Sequence, residues 1–165
     1  MAKITLQGKA CNTVGDLPAK GDKAPDFRLT DGKLADHSLK DYAGKRKILN
    51  IFPSMDTPTC AISVKKFNDH AKAHSDVVML MVSADLPFAQ GRFCGENELE
   101  NVQSLSMLRD KSFGEDYGTL IADGPLAGVS ARAVVVLDEN DTVLHSELVT
   151  EIADEPDYQA ALDAL

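Results

Sequence analysis

The sequence has no long hydrophobic run, and this absence excludes a membrane-spanning helix. The longest apolar runs, Val77 to Val82 and Ala133 to Leu137, fall far short of the ~20 residues that such a helix needs. The first residues, Met1 to Lys9, alternate polar and apolar side chains and contain no hydrophobic stretch of the signal-peptide type. We therefore expect no membrane partner and a cytoplasmic location.

Cysteine is also scarce. The three cysteines, Cys11, Cys60 and Cys94, are an odd number in a chain of 165 residues. A chain of this length can bury about two-thirds of its unfolded surface and needs neither disulfides nor a structural metal to hold a core. The cysteine count therefore argues against a secreted disulfide framework and leaves the thiols available for chemistry.

Positive charge is in deficit. The chain has 17 Lys and Arg against 26 Asp and Glu, which gives a formal net charge of −9. A nucleic-acid backbone requires a basic surface, and the one basic cluster, Lys45 to Lys47, is short and lacks adjacent aromatic residues. We interpret this cluster as a solvated turn before a strand, and we expect no nucleic-acid partner.

The hydrophobic periodicity changes along the chain in a way that predicts an α/β fold. Lys47 to Phe52 is a β-rich run, and the stretch from Cys60 to Ala71 then places apolar residues on one helical face. Val77 to Val82 is a continuous apolar run, typical of a strand buried on both faces. A strand, a helix and a strand in this order form a right-handed βαβ unit with parallel strands.

The remaining patterns complete the predicted architecture. We predict an N-terminal hairpin at Lys3 to Leu6 and Ala10 to Val14, and single strands at Asp26 to Thr30 and Val102 to Met107. An antiparallel pair is predicted at Ala133 to Leu137 and Thr142 to Leu148. Helices are predicted at Pro87 to Cys94 and Ser112 to Tyr117, and a last helix opens at Glu155 with Pro156 in its first turn. This order is that of a thioredoxin-like fold: one α/β domain, residues 1–165, with a central mixed sheet flanked by helices and an N-terminal β-hairpin extension. Because one fold hosts many activities, the function has to be argued from the site.

The segment from Pro53 to Cys60 has the features of a reactive site. Thr57 followed by Pro58 is a usual helix start, with the threonine as N-cap and the proline in the first helical position. Cys60 then lies in the first turn, where unpaired backbone N–H groups and the helix dipole favour a thiolate. The Thr57 hydroxyl can lie beside that sulfur or cap the Cys60 amide. Strand-to-helix loops at this edge of an open α/β sheet commonly hold reacting groups.

Each of the two relevant cysteines also has a structural interpretation. Cys60 heads an apolar helical face and could be an inert core residue, and Cys94 could be a lone thiol packed beside Phe93. Against this, adjacent parallel strands bring their following loops to one sheet edge, so Cys60 and Cys94 could approach within the ~7 Å between Cα atoms that a disulfide allows. Gly91 and Gly95 make the helix of Cys94 easy to unravel.

The spacing of the thiols selects among redox schemes. There is no Cys-x-x-Cys motif, which counts against dithiol exchange through adjacent cysteines. Oxidation of one thiol to a sulfenic acid by a peroxide, followed by condensation with a second thiol, fits the separated cysteines. His70 and His74 have metal-ligand spacing but no third ligand, so we interpret them as surface residues and expect no metal or cofactor.

The segment from Pro53 to Cys60 resembles the peroxiredoxin active-site signature, Pro-x-x-x-Thr-x-x-Cys. The resemblance covers almost the whole chain, through further motifs at Ser83 to Cys94, Ile121 to Leu126, Ala131 to Val136 and Glu155 to Tyr158. Together these motifs are similar to those of the bacterial thiol peroxidases, which are atypical two-cysteine peroxiredoxins.

The resemblance implies roles for five residues. Cys60 matches the peroxidatic cysteine, Thr57 its hydroxyl partner and Cys94 the resolving cysteine of the same subunit. Arg132 matches the arginine that faces the thiolate and the peroxide, although its spacing alone would make it only a strand-end cation. Pro53 matches the proline that shields the pocket from water. The family further implies hydrogen peroxide and alkyl hydroperoxides as substrates, thioredoxin as electron donor and a homodimer.

Two positions depart from the family pattern. Cys11 matches no family cysteine and is most simply a residue of the N-terminal strand, and Gly91 stands where the family often has serine. Two other functions also fit the residues: a disulfide oxidoreductase of the same fold, and a redox-sensing or binding domain whose disulfide alters a partner surface.

Overall fold

A mixed β-sheet organises the molecule, and the computed structural model describes it over residues 1–165. The strands are β1 (Lys3–Leu6), β2 (Lys9–Asn12), β3 (Leu29–Thr30), β4 (Asp36–His37), β5 (Arg46–Ile51), β6 (Val77–Ser83), β7 (Gln103–Ser106), β8 (Ala133–Leu137) and β9 (Val143–Leu148). The helices are α1 (Pro58–Ala73), α2 (Pro87–Glu96), α3 (Ser112–Asp116) and α4 (Tyr158–Asp163), with a short 3-10 helix at Leu39–Tyr42.

The seven-stranded sheet has the order β4-β3-β7-β6-β5-β8-β9. β6 is parallel to both β5 and β7, and the outer pairs are antiparallel. β1 and β2 form a separate antiparallel hairpin. The fold is thus thioredoxin-like, and the predicted mixed sheet, βαβ unit and hairpin extension are confirmed.

Alternate residues of the central strands pack into two apolar cores, one on each face of the sheet. In β5, Ile48 packs in the same cluster as Val64 and Phe67 of α1, whereas Leu49 and Ile51 belong to the cluster on the opposite face. Because both faces are covered, the strand sequences are continuously apolar rather than alternating. None of the helices is long and apolar enough to cross a membrane.

The strand predicted at Asp26 to Thr30 is wrong in its first half, since only Leu29 and Thr30 pair with neighbouring strands. The Asp26 carboxylate accepts hydrogen bonds from the amides of Phe27 at 2.8 Å and Leu39 at 3.0 Å. These bonds tie the backbone to the start of the 3-10 helix and replace the pairing of a strand.

The start of the last helix is also wrong in the prediction. Pro156 precedes the helix, and α4 begins at Tyr158 with Asp157 as its N-cap. The Asp157 side chain accepts a hydrogen bond from the Ala160 amide at 3.0 Å. An aspartate cap satisfies a free amide at the helix start, and this fixes the boundary after the proline.

The basic cluster is not the solvated turn that the sequence suggested. Lys47 is fully buried in β5, and its ammonium group forms an ion pair with Asp141. Arg46 pairs with Asp76, so only Lys45 is an exposed turn residue. The interpretation was wrong because it did not include partners that are distant in the sequence.

Candidate active site

The loop between β5 and α1 places Cys60 at the carboxyl edge of the sheet. Thr57 is the N-cap of α1 with extended backbone, and Pro58 occupies the first turn, as predicted. The Thr57 hydroxyl donates a hydrogen bond to the Ser54 carbonyl at 3.0 Å. It makes no capping hydrogen bond, so of the two positions expected for this hydroxyl, the cap of the Cys60 amide is excluded.

The first turn of α1 presents backbone donors beside the Cys60 sulfur. The first intrahelical hydrogen bond runs from the Ala61 amide to the Thr57 carbonyl at 3.0 Å. The amides of Thr59 and Cys60 precede that bond and therefore have no helical acceptor. Such amides, together with the helix dipole, form a favourable environment for an anion.

Arg132 lies directly opposite this turn. Its Nη2 donates a hydrogen bond to the Cys60 sulfur at 3.3 Å, and its Nε donates to the Ile152 carbonyl at 2.9 Å. The Cys60 and Arg132 side chains are 0% and 1% exposed. The remaining nitrogen, Nη1, is buried and has no hydrogen-bond partner.

The charge environment of Arg132 is unusual within this chain. The other four arginines, Arg28, Arg46, Arg92 and Arg109, all form ion pairs with carboxylates, but Arg132 forms none although it is the most buried. A buried guanidinium requires a compensating charge. The Cys60 sulfur, at 3.3 Å, is the group that Arg132 Nη2 contacts.

A cleft of about 270 Å³ opens over this arrangement. It brings together three of the predicted site residues, Pro53, Thr57 and Arg132. Its other lining residues come from the hairpin, the first turn of α1, and two loops: Leu6, Gln7, Pro58, Thr59, Leu126, Ile152 and Ala153. A small oxygen-containing ligand in the cleft would therefore meet the Arg132 side chain.

Cys94 lies in a different environment from Cys60. It is half-buried on α2 and packs against the same apolar cluster that contains Cys60, but all three cysteines are free thiols. Burial raises the pKa of the Cys94 thiol. Cys94 therefore carries its proton at neutral pH, while Cys60 faces a guanidinium.

Cys11 lies in β2, as the sequence suggested, and does not line the cleft. It is 5% exposed and packs in a small cluster with Ile4, Ile121, Ala131 and Ile152. Burial, and then the charges of Asp123 and Glu151, raise the pKa of its thiol. A protonated, buried thiol has a structural role here.

The sequence analysis missed the part of the site that the hairpin contributes. Leu6 and Gln7 line the cleft because Glu151 holds the hairpin tip over it. The Glu151 carboxylate accepts hydrogen bonds from the Thr5 hydroxyl at 2.6 Å, the Gln7 amide at 2.9 Å and the Gly8 amide at 3.0 Å. No sequence signal connects residues this far apart in the chain.

It also missed a polar cluster beneath the active-site loop. Asp85, in the loop after β6, accepts hydrogen bonds from the Ser54 hydroxyl at 2.6 Å and the Met55 amide at 2.8 Å. A signal for it existed, since polar residues follow two adjacent parallel strands at the edge where such loops meet.

Comparison with known proteins agrees with this geometry. The redoxin family model matches residues 19–162. A curated thiol peroxidase of Mycobacterium bovis is 58% identical over 165 residues, which are 100% of this chain and 99% of that protein. The crystal structure of a peroxiredoxin-like protein from Aquifex aeolicus has a TM-score of 0.93 at 34% identity, covering 99% of this chain and 95% of that one. A thiol peroxidase from Chromobacterium violaceum has a TM-score of 0.91 at 25% identity, covering 98% and 93%.

These matches cover far more than half of the chain, and the chain belongs to the redoxin family. Within that family it is an enzyme, a thiol peroxidase of the peroxiredoxin type. The peroxidase interpretation is thereby confirmed over the disulfide oxidoreductase and the non-enzymatic sensor.

Proposed function

We propose that the enzyme reduces hydrogen peroxide and alkyl hydroperoxides with Cys60 as the attacking thiolate, Cys94 as the resolving thiol and thioredoxin as the electron donor. The observation that carries this proposal is the 3.3 Å contact between Arg132 Nη2 and the Cys60 sulfur, inside a core where that arginine has no carboxylate partner. This contact favours negative charge on the Cys60 sulfur, and Arg132 itself lines the cleft.

In the first step the Cys60 thiolate attacks the terminal oxygen of the peroxide. The O–O bond breaks, the sulfur becomes a sulfenic acid, and the other oxygen leaves and takes up a proton as water or an alcohol. The unpartnered Arg132 Nη1 and the free amides of Thr59 and Cys60 are placed to stabilise the charge that develops on that oxygen. Pro53 and Thr57 close the cleft wall around the reacting atoms.

In the second step the Cys94 thiol gives up its proton and its sulfur attacks, as a thiolate, the sulfur of the sulfenic acid. A Cys60 to Cys94 disulfide forms, and the hydroxyl leaves as water with the proton of Cys94. The two electrons for the peroxide thus come from two thiols, and the scheme uses no metal or organic cofactor.

In the third step a dithiol of thioredoxin exchanges with the disulfide, which returns both cysteines to thiols and leaves the thioredoxin oxidised. Three free cysteines and the absence of a secreted disulfide pattern support a cytoplasmic location. We further propose that the enzyme is a homodimer in which each subunit completes the cycle with its own two cysteines, as the family resemblance implies.

Oxidation with one equivalent of peroxide, followed by intact mass measurement and peptide mapping, tests the chemical steps. The wild type should form a Cys60 to Cys94 link within seconds. Cys94→Ser should still consume one equivalent and stop at a sulfenic acid on Cys60, whereas Cys60→Ser should consume none. Cys11→Ser is the matched control and should behave as the wild type. An unoxidised Cys60 in the wild type would reject the proposal.

Steady-state turnover with thioredoxin and its reductase tests the donor. The wild type should consume peroxide continuously, and Cys60→Ser should be inactive. If the disulfide forms but no turnover follows, the proposed reaction with peroxide stands and thioredoxin is rejected as the electron donor. Sedimentation of the reduced protein tests the dimer, and a monomer at micromolar concentration would contradict it.

A further inference from the structure

Helix α2, which carries Cys94, is attached to the sheet in an unusual way. Of its ten residues only Pro87 and Gln90 are buried, and Gln90 is 0% exposed. A helix normally attaches through an apolar face, but here an amide side chain makes the deepest contact. Gln90 precedes Cys94 by one helical turn and so lies on the same side of the helix.

The Gln90 amide is anchored at one end only. Its Nε2 donates hydrogen bonds to the Ser83 hydroxyl and to the Leu105 carbonyl, both at 3.0 Å. Its Oε1 is buried and has no hydrogen-bond partner. Leaving a buried amide oxygen unsatisfied is unfavourable, so the anchored position of α2 is held less strongly than a fully bonded glutamine would hold it.

The acceptor of this anchor also belongs to the active-site loop. The Ser83 hydroxyl donates to Asp85 Oδ2 at 2.7 Å. The same carboxylate accepts from the Ser54 hydroxyl and the Met55 amide in the loop that leads to Cys60. One short chain of hydrogen bonds therefore connects the loop of the attacking cysteine to the helix of the resolving cysteine.

From this connection we infer that Asp85 and Gln90 are positioning residues that act through Ser83: Asp85 holds the Cys60 loop for attack on the peroxide, and Gln90 restrains α2 until Cys94 moves to resolve the sulfenic acid. The inference deepens the proposed function and rests on it. Neither side chain lines the cleft. Replacing Asp85 should therefore change the rate of the first step, and replacing Gln90 the rate of the second, rather than either change slowing both steps.

Single-turnover rapid-quench kinetics of the full chain separates the two steps. Dimedone trapping of the sulfenic acid reports the first, peroxide-dependent step, and mass analysis of the disulfide reports the second. Gln90→Ala should leave the first rate within twofold of the wild type and accelerate the second at least threefold. Phe88→Ala, at a position of the same helix that is 64% exposed, is the control and should leave both rates unchanged.

Asp85→Asn should slow the first step at least tenfold, because an amide cannot accept all three hydrogen bonds. Glu100→Gln, an exposed acid outside this loop, should change it less than twofold. If Asp85→Asn does not fold, Ser54→Ala removes one of the three donors and should slow the first step at least threefold.

The outcomes distinguish the inference from the function on which it rests. If the wild type forms the disulfide and Gln90→Ala leaves its rate unchanged or slower, the role of Gln90 is wrong while the function stands. If neither Asp85→Asn nor Ser54→Ala slows the first step, the role of Asp85 is wrong. If the wild type forms no Cys60 to Cys94 disulfide, both the function and the inference fail.

Discussion

Arg132 and Cys60 are 72 residues apart in the chain, yet the guanidinium and the sulfur meet at 3.3 Å and both residues are almost completely buried. Arg132 immediately precedes β8, and this strand places it opposite the start of α1. The same arginine is fixed by the Ile152 carbonyl at 2.9 Å. Its orientation toward the sulfur is therefore set by the backbone and not by a neighbouring carboxylate.

Replacing Arg132 should slow the reaction of Cys60 with peroxide by a larger factor than the loss of thiol ionisation alone would explain. A free thiol with a pKa of about 8.5 is roughly 3% ionised at pH 7, so full ionisation raises the reactive fraction at most ~30-fold, or about 2 kcal/mol of barrier. We expect Arg132→Gln to lower the rate of Cys60 oxidation by more than ~30-fold, because stabilisation of the leaving oxygen is lost as well. Iodoacetamide alkylation of Cys60, which requires only the thiolate, should fall by less than the peroxide rate.

Arg109→Gln is the control for this comparison, since Arg109 pairs with Asp36 at the surface. It should leave both rates unchanged. Equal losses in alkylation and peroxide reduction for Arg132→Gln would show that the arginine acts through ionisation alone.

Helix propensity at α2 should set the rate of the resolving step. A Cβ at Gly91 or Gly95 would meet nothing within 4 Å, so alanine fits at either position. Each substitution should stabilise the helix by about 1 kcal/mol and slow disulfide formation roughly fivefold if the helix must unravel first. Rapid-quench measurement of the disulfide checks this. Ala89→Gly is the reverse exchange in the same helix and should accelerate the step.

The stability of the protein at low pH should depend on Glu151, which attaches the hairpin. Hydrogen bonds from Thr5, Gly8 and Gln7 lower the pKa of Glu151 from 4.5 to about 2. The unfolded chain therefore binds the proton more readily, and the contribution to stability is present above pH 4.5 and lost as the pH falls toward 2. Urea unfolding of Glu151→Gln should depend less on pH between 5 and 3, as a rough window around these values, than that of the wild type.

Glu100→Gln changes an exposed acid elsewhere and should keep the wild-type pH dependence. The hairpin also lines the cleft, so Glu151→Gln should raise the KM for a bulky alkyl hydroperoxide more than that for hydrogen peroxide. If Glu151→Gln changed neither the pH dependence of urea unfolding nor the ratio of the two KM values, the role of Glu151 in attaching the hairpin would be wrong.

Removing either partner of the ion pair between Lys47 and Asp141 should destabilise the protein, but by unequal amounts. Lys47 is 0% exposed, whereas the Asp141 side chain is 27% exposed. Asp141→Asn leaves an unpaired ammonium in the core and should destabilise the protein by about 3 kcal/mol. The backbone should tolerate the change, because Asp141 has φ 65° and asparagine accepts that conformation. Lys47→Met leaves only a partly solvated carboxylate and should cost less, which denaturant unfolding of both variants checks.

The elements that depend on local sequence were predictable. The Thr57 cap, Pro58 in the first turn and the apolar face of α1 lie within one segment, and they fixed the position of Cys60. The two-sided apolar runs of β5 and β6 likewise identified the parallel pair. Each of these features follows from the conformational preferences of neighbouring residues.

The features that depend on distant partners were not predictable. Lys47 looked like a surface residue because Asp141, 94 residues later, supplies its charge partner. The hairpin wall of the cleft depends on Glu151, which binds residues more than 140 positions earlier. The position of Arg132 opposite Cys60 came only from a family resemblance, because no spacing rule connects a strand end to a helix start.

The hairpin fastens residues near the start of the chain to residues near its end. The Thr5 amide donates to the Thr150 carbonyl at 2.7 Å, and the Glu151 carboxylate binds the tip of the hairpin. Neither β1 nor β2 belongs to the seven-stranded sheet, yet the hairpin supplies Leu6 and Gln7 to the cleft wall. Unfastening the hairpin would therefore widen the cleft on one side while the sheet that positions Cys60 stays intact.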